Sequence, residues 1–115
     1  MRMNITVTFR KLPSSNALRE HAEQKVIKHA KYLHEPVDIH IVLRVEKIRQ
    51  IAEITVKAKN YRAHAIEESQ DMYTSIDGAN TKIERQLRKH KELIKNHKTE
   101  NKVFGALEST IPAAE

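Results

Sequence analysis

Apolar and polar residues alternate over residues 3–9, with Ile5, Val7 and Phe9 on one side and Thr6 and Thr8 on the other. A period of two is what a half-buried strand requires. Pro13-Ser14-Ser15-Asn16 then offers turn chemistry and capping oxygens, after which Leu18, Ala22, Val26, His29 and Leu33 recur at helical spacing up to Glu35-Pro36. That spacing predicts a helix over roughly residues 15–34. Alternation returns after Pro36, where Val37, Ile39, Ile41, Leu43 and Val45 interleave with more polar positions until the pattern breaks near Lys47–Gln50. Such a break between alternating runs marks a hairpin. The third strand follows in Ala52, Ile54, Val56 and Ala58; past the Lys59-Asn60 turn, Ala63 and Ala65 carry a weaker fourth strand to about Glu68. Asp71 is placed to cap a second, long helix whose stripe is Met72, Ile76, Ala79, Ile83, Leu87, His90 and Ile94, continuing to about Lys98. Gly78 lies inside that helix at a cost of about 1 kcal/mol relative to Ala, which fits close approach of another backbone and a tolerated flaw equally well. From Thr99 to Glu115 periodicity disappears, so the expected organisation is a domain over 1–98 and a flexible tail over 99–115.

The order β-α-β-β-β-α is satisfied by a parallel pairing of the first two strands across the first helix, followed by an antiparallel meander. Each strand has one clearly apolar side, so both helices should cover the same face of a four-stranded sheet and leave the other wet. The expected fold is an α+β two-layer sandwich. A length of 115 residues leaves room for one modest core and excludes a large multidomain enzyme. No stretch approaches the roughly 18 apolar residues of a membrane span, the alternating N-terminus does not read as a signal peptide, and the absence of Cys fits a reducing compartment. Cytoplasm is the expected location.

Charge changes the picture because it is concentrated. Of the formal net charge of +6, residues 82–98 hold seven Lys/Arg against two Asp/Glu. A focused positive field of this kind favours a polyanionic partner, most often nucleic acid. Advancing about 100° per residue, the second helix puts Lys82, Arg85 and Lys89 on one flank of its apolar stripe and Arg88, Lys91, Lys95 and Lys98 on the other. The first helix gathers His21, Lys25, Lys28 and Lys31 towards one flank. Side by side, the two exposed surfaces would form a basic ridge and groove suited to a phosphate backbone. An ordinary solvated helix face is the competing account, since Lys and Arg are good helix formers.

Other chemistry finds little support. Seven His residues are scattered without a HExxH or a close-spaced cluster, so no metal site is expected. His29 and His90 fall on the apolar stripes and read as packing residues, while His64 could pair with Glu67 or Glu68. The serines have no nucleophile-elbow context, and two Gly cannot build a phosphate-cradling loop. The acidic set Glu67, Glu68, Asp71 and Asp77 reads as capping and helix-start charge before it reads as a magnesium site. Phe9, Tyr32, Tyr61, Tyr73 and Phe104 are the only aromatics and form no paired stacking platform, so recognition by shape and phosphates is expected over base readout.

Asn4-Ile5-Thr6, Ala17-Leu18-Arg19-Glu20, Val45-Glu46-Lys47, Asp71-Met72-Tyr73 with Ile76-Asp77, and Glu84-Arg85-Gln86-Leu87-Arg88-Lys89-His90-Lys91 stand out together. Over about residues 3–98 the chain resembles the short ribosome hibernation promoting factors and ribosome-associated inhibitors, the sigma-54 modulation protein family. The resemblance implies the same sandwich, no enzymatic activity and no cofactor. It also implies binding to the small ribosomal subunit in the channel for mRNA and tRNA, with inhibition of translation in stationary phase or stress and a ribosome modulation factor as a possible partner. Lys25, Lys28, Lys31, Lys82, Arg85, Arg88, Lys89 and Lys91 are the implied rRNA-phosphate contacts, on a chain expected to be monomeric when free. His29 departs from the family's usual large apolar residue, and the tail exceeds that of the compact promoting factors. A double-stranded RNA-binding accessory module and a basic protein-interaction adaptor are the alternatives from other classes.

Overall fold

The computed structural model describes residues 3–33 and 36–100, with side chains of the last helix described as far as Lys91. Strand β1 (Met3–Arg10) leads into helix α1 (Asn16–Val26), a 3₁₀ segment (Ile27–Tyr32), strands β2 (Val37–Glu46), β3 (Arg49–Lys57) and β4 (Arg62–Ser69), and helix α2 (Met72–Glu100). The sheet order is β1-β2-β3-β4, with β1 parallel to β2 and the other pairs antiparallel. This is the expected sandwich. The parallel pair requires a crossover, which α1 and the 3₁₀ segment supply; the β2–β3 hairpin turns through Lys47 at φ 60°.

Alternation decides which side of each strand is dry. Ile39, Ile41 and Leu43 of β2, Ala52, Ile54 and Val56 of β3, and Ala63 and Ala65 of β4 are buried against Ala22 and Val26 of α1 and Met72, Ile76, Ala79, Ile83 and Leu87 of α2. Each large aliphatic side chain so buried contributes about 1.5–3 kcal/mol. Caps hold the helix starts in place: the Ser15 hydroxyl accepts from the Leu18 N–H at 3.2 Å, and the Asp71 carboxylate accepts from the Thr74 N–H at 2.9 Å. The Asp71 cap was legible from its position; the acidic set does not gather into a metal site among the described residues.

Three expectations are corrected. The first helix is not α-helical over its whole length: it changes to 3₁₀ geometry after Val26. Val26, His29 and Tyr32 are spaced by three, so three residues per turn set them on one inward row, and the same pitch sets Lys25, Lys28 and Lys31 on a second, outer row. The apolar spacing read from the chain fits either helix type. Gly78 meets a side chain, not a backbone. A Cβ there would lie 2.7 Å from Glu67 Cγ, which sits over the helix because its carboxylate pairs with Lys82 at 2.7 Å. Finally, His64 bonds Glu53 of the neighbouring strand β3 at 2.7 Å, since Glu67 is drawn to Lys82 and Glu68 to Arg49. The helix α2 runs to Glu100, two residues into the expected tail; the remainder of that tail lies outside the described residues.

The outer edge of β4 is closed by α2. Gln86 accepts from the His64 N–H at 3.1 Å and donates to the His64 carbonyl at 2.8 Å, while the Lys82 ammonium donates to the Ile66 carbonyl at 3.1 Å. The three edge groups satisfied in this way are withdrawn from pairing with another chain.

Candidate nucleic-acid interface

Helices α1 and α2 lie side by side over the sheet, joined along their seam by polar pairs. His21 bonds the Asp77 carboxylate at 2.7 Å, with Lys25 3.7 Å from the same oxygen and the Tyr73 ring set edge-on to the imidazole at 4.9 Å. One turn further, His29 Nε2 lies 2.7 Å from Asn80 Oδ1; beyond it the Tyr32 hydroxyl donates to Glu84 at 3.2 Å. Asp77, Asn80 and Glu84 are three and four residues apart, the spacing that puts side chains on one helix face. They are the α2 half of the seam.

His29 is 2% exposed. Burial disfavours the imidazolium and lowers its pKa, with a smaller upward pull from the Asn80 bond, so the ring is neutral at neutral pH. A buried neutral histidine with one satisfied nitrogen sits among apolar residues without leaving a charge in the core.

The eight basic positions do not form one array. Lys25, Lys28 and Lys31 run in a row along the first helical segment, Lys28 and Lys31 exposed and Lys25 half-buried beside Asp77. Lys91 reaches across from α2 to the Lys31 carbonyl at 3.4 Å. Both ammonium groups stand near the Tyr32 ring, at 5.3 Å for Lys31 and 5.9 Å for Lys91, a range in which the ring face attracts a cation. Arg88 shares the α1-facing flank of α2 by helical position, and Arg85 is exposed on the outer face. Lys82 turns away to Glu67 and the β4 edge, and Lys89 follows it on that flank. A two-walled groove thus carries Lys25, Lys28 and Lys31 on one wall and Arg88 and Lys91 on the other, with the carboxylates of Asp77 and Glu84 at its floor.

Those floor residues were missed as a set by sequence reasoning. The signal present in the chain was a polar row at 77, 80 and 84 on one face of α2, but its partners at 21, 29 and 32 become visible only once the helices are known to be neighbours. His90 stacks on Tyr61 at 3.7 Å between ring centroids, which makes both rings structural.

The family model described as Sigma 54 modulation protein / S30EA ribosomal protein matches residues 5–95, a span that includes both walls of the groove. The chain belongs to this family. Among its S30EA relatives, the ribosome hibernation promoting factors of Salmonella typhimurium strain LT2 and Escherichia coli strain K12 are each 36% identical to it over 95 residues, 83% of this chain and 100% of theirs. Two solved structures share the S30EA fold seen here. The N-terminal domain of Thermus thermophilus Protein Y superposes with a TM-score of 0.70 at 26% identity, covering 78% of this chain and 99% of that one. A ribosomal subunit interface protein from Coxiella burnetii gives 0.66 at 30% identity, covering 80% and 99%.

Proposed function

We propose that this chain is a ribosome hibernation factor that binds rRNA of the small subunit in the mRNA and tRNA channel and thereby inhibits translation in stationary phase or stress. The observation that carries the reading is the two-walled basic groove, in a chain whose relatives are named for ribosome hibernation. Lys25, Lys28, Lys31, Arg88 and Lys91 present cations at helical pitch to a phosphate backbone, and Arg85 and Lys89 extend the positive surface over α2, while Lys82, paired with Glu67, stands at its margin. Each phosphate neutralised releases about one counterion, so affinity is electrostatic and falls steeply with salt. Inhibition is steric: a folded domain held in the channel excludes messenger and tRNA and performs no chemical step. No described helix is long and apolar enough to cross a membrane, and the site of action is the cytoplasm, where a ribosome modulation factor is the expected companion.

Co-sedimentation with isolated small subunits at rising salt tests this. Binding at low salt that is lost by several hundred millimolar, and is weakened by Arg85→Glu with Lys89→Glu, supports the reading. Binding to free duplex RNA without binding to subunits would instead identify a double-stranded RNA accessory module.

A further inference from the structure

The side of the sheet opposite the helices is divided. Across the strands its side chains fall into rows, the first Asn4, Asp38, Lys57 and Arg62, the second Thr6, His40, Thr55 and His64. At the hairpin end, Arg44 bonds Glu46 at 3.3 Å and Glu53 at 3.1 Å, while Arg49 reaches Glu46 at 3.3 Å and holds Glu68 through two nitrogens. This carpet of ion pairs lies over Ile51, which is 1% exposed although it stands apart from the main core. That half is closed, and its Arg44, Arg49, Glu46 and Glu68 are matched to one another and to Glu53.

The other half is a trough of about 600 Å³ with Thr6, His40 and Thr55 among its lining residues. Of its acids, Glu53 is held by Arg44 and His64, and Asp38 accepts from the neutral Asn4 amide at 3.0 Å and keeps its charge, one carboxylate against the three cations of the trough. Arg10, Lys57 and Arg62 line it, and among the described residues none of them makes an ion pair.

We infer that this trough is a second RNA-contacting surface, which takes a phosphodiester segment different from the one met by the helices. The inference rests on the hibernation reading and deepens it: the domain is a wedge gripped on both faces. Charge complementarity selects the occupant, because three uncommitted cations surround a cluster of hydroxyl and imidazole groups able to bond phosphate oxygens and 2′-hydroxyls. No Phe, Tyr or Trp lies on this face among the described residues, and its two imidazoles are bonded to Thr8 and Glu53, so the contact is to backbone more than to stacked bases. An acidic protein surface is the competing occupant, and the test separates the two.

The chain has no Cys, so single cysteines can carry a tethered iron chelate that cleaves nearby RNA. Thr55→Cys probes the trough, and Thr81→Cys, exposed on α2, probes the helical face. With small subunits bound, the Thr55→Cys probe is expected to cleave an rRNA segment absent from the Thr81→Cys pattern. Lys57→Glu with Arg62→Glu should weaken subunit binding about tenfold or more and reduce the slope of log affinity against log salt by about 2. A Thr55→Cys probe that cleaves no rRNA, or only the nucleotides cleaved from Thr81→Cys, overturns the inference while helix-dependent binding leaves the hibernation reading standing. Loss of affinity in the double variant with that probe silent assigns the trough to an acidic protein instead, which also overturns it. If the unsubstituted chain does not bind subunits at all, the hibernation reading itself fails.

Discussion

Acidification just below neutral pH should destabilise this fold through His29. Its ring is buried between α1 and α2 with Nε2 bonded to Asn80, and desolvation holds its pKa below the ordinary 6.5. In the unfolded chain the same imidazole takes a proton at about pH 6.5. Between that value and the lowered folded one, the unfolded state therefore binds more protons, and stability rises with pH and falls as pH drops. The slope from one such group is at most about 1.4 kcal/mol per pH unit, large beside a typical total of about 5–15 kcal/mol. Glu53 and Glu68 also have lowered pKa values, Glu53 first through its bond from His64 and Glu68 through Arg49. Their contributions are lost only as pH falls from about 4.5 through their folded values, so the windows are distinct. Urea unfolding between about pH 7.5 and 5.5 measures the effect. His29→Leu keeps the volume and leaves the half-exposed Asn80 to water; it should lie within about 1 kcal/mol of the parent at neutral pH and lose most of the slope. Equal slopes in the two proteins would refute the assignment. Because His29 lies in the segment that carries Lys28 and Lys31, subunit affinity of the parent should fall over the same pH range more steeply than that of His29→Leu.

Three further outcomes follow from the packing. Gly78→Ala combined with Glu67→Ala should gain about 1 kcal/mol over Glu67→Ala alone, and more than Gly78→Ala gains over the parent; equal gains in thermal melts would show that Glu67 does not crowd the position. Gln86→Ala should cost about 1 kcal/mol by returning both edge groups of His64 to water, and size-exclusion chromatography should show more association through the uncovered β4 edge. Asp77→Asn keeps a partner for His21 while removing a negative charge beside Lys25, so it should raise affinity for small subunits at low salt, an advantage that disappears at high salt; unchanged or weaker binding would exclude Asp77 as a floor charge of the groove.

The local patterns of the chain determined the element order, the dry side of each strand, the capping role of Asp71 and the concentration of positive charge in α2, because periodicity and capping are properties of neighbouring residues. Those same patterns left the helix type after Val26 undecided, since positions 26 and 29 are compatible with both pitches. Tertiary structure decided what long side chains meet. It turned Lys82 to Glu67 and the β4 edge, set Asp77 and Glu84 between the lysine row and Arg88, moved His64 to Glu53, and split the exposed face of the sheet into a closed half and a cationic one. Each of these depends on distances across elements far apart in the chain, where a charged group several ångströms long chooses among partners that only packing brings within reach.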